Sequence, residues 1–172
     1  ASDVYKRQNL SKEMDSEMLF ELVRKADTDK DAAFKLGVMY LNGNNVCQDT
    51  QRALFYFQQA SELGHSGVEA IYAYLYKCGA PNFEPNLFKA AEYFELAGFS
   101  HNGDEVVDET LLWEAVNIWF NGGIAGTALS EQRGLELLDI MEEKEIYYAA
   151  KVVQDFHAYQ AERKTRLADL PF

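Results

Sequence analysis

Three carboxylates alternate in the run Asp27-Thr28-Asp29-Lys30-Asp31, the spacing with which a calcium-binding EF-hand loop begins. Such a loop also needs Gly at its sixth position and a bidentate Glu at its twelfth. Ala32 and Val38 stand there instead, so the aspartates read as helix caps and a solvated turn. A second acidic group, Asp104, Glu105, Asp108 and Glu109 near His101, has the composition of a weak divalent-cation site. Acidic loops are ordinarily solvated, and a contact to a basic partner suits this one better. His65, His101 and His157 are far apart, and none stands in HExxH or another metal-ligand spacing. Nucleophilic catalysis needs Cys or Ser beside a base, but Cys47 and Cys78 belong to no CxxC or papain-like context. The glycine-rich run from Asn121 to Gly126 lacks the Lys and the preceding strand of a phosphate loop. The expectation is a protein that is not an enzyme, with no cofactor and no metal.

Bulk properties narrow the partners. The formal net charge is −12, and from residue 101 onward 14 acidic side chains face 6 basic ones. Such a surface repels phosphate backbones and anionic lipid, which argues against nucleic acid and against a membrane surface. It leaves a basic protein or peptide as a partner, or acidity that serves only solubility. No apolar run approaches the roughly 20 residues that span a bilayer, so a soluble protein without membrane insertion is expected. The chain starts at Ala1 and shows no signal peptide. The compartment therefore stays open, either cytoplasmic or exported with a signal sequence that this chain does not contain.

The elements that carry these residues are helices between Gly- and Asn-rich corners. Residues 1–9 have no helical pattern and are set apart as a disordered terminus, leaving one domain over 10–172. Leu10, Met14, Met18 and Leu22 fall at four-residue steps, which predicts a first helix over 10–26 with those side chains on one face. Asp31 is the expected N-cap of a second helix that stops at Asn42-Gly43. Asp49 caps a third that closes at Gly64. The run Ile71 to Tyr76 is rich in strand-forming Tyr but sits where a helix belongs. Asn86 and Gly98 bracket the next helix, Ser130 caps another, and a long last helix is expected over 144–168.

These segments repeat. Ala53, Tyr56, Phe57 and Ala60 return as Ala90, Tyr93, Phe94 and Ala97, 37 residues on; Tyr40 and Gly43 return as Tyr76 and Gly79, 36 residues on. Trp119 and Gly122 repeat that pair once more. Self-similarity at this period marks an array of helical hairpins. Small residues such as Gly37, Ala53, Ala73 and Ala90 let helices approach, and the aromatics are expected to fill the space between neighbouring hairpins. Adjacent hairpins also raise the pairing of Cys47 with Cys78. A disulfide forms if their Cα atoms come within about 7 Å in an oxidising compartment; otherwise they are two free thiols.

The order Ala32, Leu36-Gly37, Tyr40, Gly43, Val46, Asp49, Ala53, Tyr56-Phe57, Ala60, Gly64 resembles the Sel-1-like repeat, a relative of the tetratricopeptide repeat. The second repeat has Tyr72-Ala73 for Leu-Gly and Asn86 for Asp. The third keeps Trp119, Gly122 and Gly134, with Leu137-Leu138 in place of the aromatics. Repeats are expected at about 31–66, 67–100 and 110–143, between capping helices 10–26 and 144–168. The insertion around 100–109 departs from the pattern.

The resemblance implies an all-α fold, a right-handed α/α superhelix or solenoid of stacked hairpins, and work as a protein-protein interaction module or adaptor. By analogy with tetratricopeptide grooves, a peptide or partner helix would lie on a concave face lined by Phe34, Val38 and Leu41, then Ala70, Tyr74 and Lys77, then Trp113, Asn117 and Phe120. Two outcomes stay open for this apolar stripe: an exposed set of aromatic anchors, or a core sealed by the end helices. The alternatives to an adaptor are a structural segment of a larger repeat scaffold and a metal-dependent enzyme on a repeat scaffold.

Overall fold

Helix entry here is a matter of which oxygen reaches the free amides of the first turn. The computed structural model describes residues 16–99, 105–121 and 127–168. Helix α1 covers 16–26. Helix α2 is Lys30–Asn42, and its cap is Asp29, whose Oδ1 accepts from the Asp31 amide at 2.9 Å and the Ala32 amide at 3.2 Å. The expected cap, Asp31, instead occupies the first turn, where its charge meets the positive end of the helix dipole. Helix α2 ends at Gly43, whose φ of 71° is left-handed and whose N–H donates to the Met39 carbonyl.

Helix α3 is Thr50–Glu62, capped as expected by Asp49 on the Arg52 amide at 3.0 Å. Helix α4 is Val68–Cys78, so the tyrosine-rich run is helical. Helix α5 is Leu87–Gly98, capped by Asn86 on the Lys89 amide at 3.1 Å. Helix α6 is Glu109–Asn121 and α7 is Ala128–Glu143. The cap of α7 is Thr127 rather than Ser130. Thr127 Oγ1 accepts from the Ser130 amide at 3.1 Å, while the Ser130 hydroxyl is buried and donates back to the Thr127 carbonyl. Helix α8 is Ala149–Ala168, beginning later than expected because Glu145 (φ 58°) and Tyr148 (φ 73°) break the helical path after α7.

All eight elements among the described residues are helices, and two isolated bridges, Ala80 with Phe83 and Phe99 with Val106, close corners. The all-α class is the one that the repeat period predicts. The chain divides between Pro85 and Asn86 into two compact units, α1–α4 and α5–α8.

In the first unit the core is Ala26, Ala33, Leu36, Tyr40, Ala53, Phe57, Ala60 and Val68, with Leu19, Leu22 and Tyr56 packed against it. The inward face of α1 is thus Leu19, Leu22 and Ala26. Met18 is 64% exposed, because a 3.6-residue turn carries strict four-residue steps off the buried stripe. Leu10 and Met14 lie outside the described residues. Phe57 packs closely on the other helix of its own hairpin, where its ring lies 2.5 Å from where a Cβ on Gly37 would stand, and the same core takes in Val68 of the next hairpin. Only glycine admits that approach. Tyr40 stacks on Tyr56 in the same hairpin, with centroids 5.6 Å apart.

In the second unit Ala90, Phe94, Leu112, Trp119, Leu137, Leu138 and Met141 are buried. Phe94 repeats Phe57, and full burial of each ring contributes about 2–3 kcal/mol. Gly98 is the last residue of α5. Its role is contact rather than a left-handed stop, since a Cβ there would meet the Leu112 side chain.

Candidate functional site

The stripe that analogy assigns to a partner divides into covered and open positions. Phe34 is half-buried. The His65 ring stacks on it at 4.0 Å and nearly parallel, and the Phe57 ring lies 5.7 Å away at a tilt. The imidazole is held there by the Gly67 amide, which donates to Nδ1 at 3.0 Å, and its Nε2 faces the Asp31 carboxylate at 3.6 Å. The α3–α4 corner therefore roofs Phe34. Val38 and Leu41 are also half-buried against the first unit's core. On α4, Ala70 and Lys77 are half-buried, while Tyr74 is 46% exposed.

In the second unit Trp113 is half-buried and Asn117 is exposed, its Oδ1 accepting from Asn121 Nδ2 at 3.1 Å. Phe120 is enclosed. Phe156 of α8 lies 4.8 Å away, and the Phe120 ring fills the space a Cβ on Gly134 would need. The last helix thus covers Phe120, as a cap would. Tyr74 and Asn117 are the exposed ones among the mapped positions.

The residues read for chemistry have other work. Asp27 accepts from Gln59 Nε2 at 3.0 Å, Asp29 caps α2 and Asp31 faces His65, so the three carboxylates point to three separate contacts. Asp108 caps α6 through the Thr110 amide at 2.9 Å; Glu105 and Glu109 are exposed, and His101 and Asp104 lie outside the described residues. Among the described residues no three His, Cys, Asp or Glu side chains are grouped to hold a metal ion. Cys47 and Cys78 are both free thiols at the surface. His157 lies exposed on α8.

Two arrangements escape sequence reasoning. Glu95 on α5 accepts from Trp119 Nε1 of α6 at 2.6 Å and from Arg133 Nη2 of α7 at 3.2 Å, tying three helices through one carboxylate. Burial pushes its carboxyl above the usual carboxylate range, although the Trp119 bond and the Arg133 charge pull the other way. Nothing periodic marks it, since the matching position of the first repeat is Gln58, an exposed residue. The other is a groove of about 510 Å³ between α1 and α2, with Met18, Leu22 and Met39 on its walls and Lys25 and Lys35 at its edge.

Comparison with known proteins agrees with the repeat reading. Residues 30–65 and 69–98 match the Sel1 repeat model, which spans α2–α3 and α4–α5. The expected third repeat, over 110–143, lies outside the matched segments. A crystal structure of a Sel1 repeat protein from Oxalobacter formigenes is 22% identical over 80% of this chain and 97% of that one, with a TM-score of 0.49. Sel1 repeat proteins are in general protein-interaction or scaffold modules of a non-catalytic helical type. Among the described residues no helix is long and apolar enough to cross a membrane.

Proposed function

We propose that this chain is a protein-interaction module that holds a peptide or partner helix on the first helices of its repeats. The observation that carries the reading is Tyr74. It lies on the first helix of the second matched repeat, yet 46% of its surface stays open to a partner. Aromatic side chains of this kind supply large contact area at low entropic cost and are enriched among interface hot spots. Lys77 lies one turn along on the same helix, which adds a polar contact beside the ring. In the second unit Trp113 and Asn117 lie four residues apart on α6, so they too share one helical face. The net charge of −12 favours a basic segment over an acidic one.

A peptide library displayed on phage and selected on the purified chain tests this directly. Selected peptides should be rich in Arg and Lys, and Tyr74→Ala should weaken their binding about tenfold or more with an unchanged circular dichroism spectrum. Selected peptides that bind the Tyr74→Ala variant as tightly as the wild type would refute the assignment of α4. Loss of helicity in that variant would show Tyr74 to be a packing residue.

A further inference from the structure

The α7–α8 corner reproduces the α3–α4 corner 81 residues earlier. Leu63, Gly64 and His65 donate to the carbonyls of Gln59, Ser61 and Ala60; Lys144, Glu145 and Ile146 donate to those of Ile140, Glu142 and Met141. Gly64 (φ 82°) and Glu145 (φ 58°) take the same left-handed step. His65 and Ile146 then both turn inward. Beyond this point the two corners part. The first continues with Ser66-Gly67, small residues that need no special surroundings, and Gly67 has an ordinary φ of −94°. The second continues with Tyr147-Tyr148, and Tyr148 has a φ of 73°, a backbone that a bulky side chain rarely adopts. The two rings lie 3.9 Å apart and point to water, 74% and 56% exposed. Strain at one tyrosine and exposure of both are unfavourable, and neither ring is buried in the unit's own core.

We propose that Tyr147 and Tyr148 form an aromatic platform that binds an arginine of a basic partner segment. A guanidinium is planar and weakly hydrated, so it stacks on tyrosine while its edge pairs with carboxylates. Carboxylates are at hand: Asp139, Glu142, Glu143 and Glu145 outnumber Lys144 and Lys151 along this corner. The chain already contains the same combination internally. The Arg52 guanidinium lies 5.5 Å from the centre of the Tyr40 ring and its Nε pairs with Asp49 at 3.3 Å. The platform uses none of the residues of the surface proposed above, so it stands or falls independently of that reading.

The corner of the first repeat supplies the test. The double variant Tyr147→Ser, Tyr148→Gly installs the Ser66-Gly67 sequence, leaves every charge in place and removes the strained side chain. A fluorescently labelled octapeptide of alternating Arg and Gly is titrated against both proteins by anisotropy at about 0.15 M salt, where diffuse attraction to the acidic surface is screened. The expected result is about fivefold or greater loss of affinity in the variant, with a melting temperature equal to or above that of the wild type. A Lys-Gly octapeptide of equal charge should bind the wild type about threefold more weakly than its arginine counterpart. The proposal is overturned if the arginine peptide does not bind the wild type, or if the variant binds it equally well. Equal affinity for the lysine peptide overturns it as well, and so does a lowered melting temperature, which would make the tyrosines packing residues.

Discussion

Glu95 shows what burial does to a single side chain. Its carboxyl is raised by desolvation, so the folded state favours the protonated form more than the unfolded chain does. The sign follows: its contribution to stability is full below the ordinary carboxylate range and is lost as pH rises through the raised folded value. Urea unfolding of wild type and Glu95→Gln, compared from pH about 4 to about 7, should show the wild type losing stability relative to the variant as pH increases. Glu95→Ala should cost about 2–3 kcal/mol at pH near 7, because the buried Trp119 Nε1 would have no acceptor. In the sequence, Glu95 looks like any solvated helix residue. Its burial depends on Trp119 and Arg133, which lie 24 and 38 residues away in the chain. Gly37 was more legible, as a small residue within a repeat. That its hydrogen faces the Phe57 ring was not, and Gly37→Ala should destabilise the first unit by about 1–3 kcal/mol in the same assay.

At the scale of helices, propensity and period placed the elements well and their starts less well. Asp29 and Asp31 are equivalent as residue types, and both precede an apolar helix. The direction of chain entry decides between them, because only Asp29 has the extended φ of −121° that aims its carboxylate at the next amides. Asp29→Ala should therefore cost about 1 kcal/mol and Asp31→Ala less than about half of that, measured by the shift in urea midpoint at constant slope. Thr127 prevails over Ser130 for the same reason. The α7–α8 corner gives the converse case. Glu145 occupies the left-handed position that Gly64 holds in the first repeat, so Glu145→Gly should raise the stability of the second unit by about 0.5–1 kcal/mol. Residue types hid this equivalence from sequence comparison, since the shared feature is a hydrogen-bond pattern.

For the whole molecule the controlling quantity is charge. A net −12 over 172 residues repels itself, and added salt screens that repulsion. The melting temperature should rise between about 10 and 150 mM sodium chloride, while the affinity for any basic peptide should fall over the same range. A melting temperature that drops with salt would mean that attractive ion pairs outweigh the excess of carboxylates.

By itself, the order of residues determined that the chain is helical, that its hairpins recur every 36–37 residues, and which small and aromatic positions form the core. These are local or periodic properties, carried by the 3.6-residue turn and by residue size. Only the tertiary structure decided which apolar side chains remain available. Phe34 is roofed by His65 and Phe120 is covered by Phe156, whereas Tyr74, Tyr147 and Tyr148 stay in contact with water. Helical spacing assigns a side chain to a face. Whether that face is covered depends on neighbours contributed by distant parts of the chain, and neither spacing nor composition records where those neighbours come to rest.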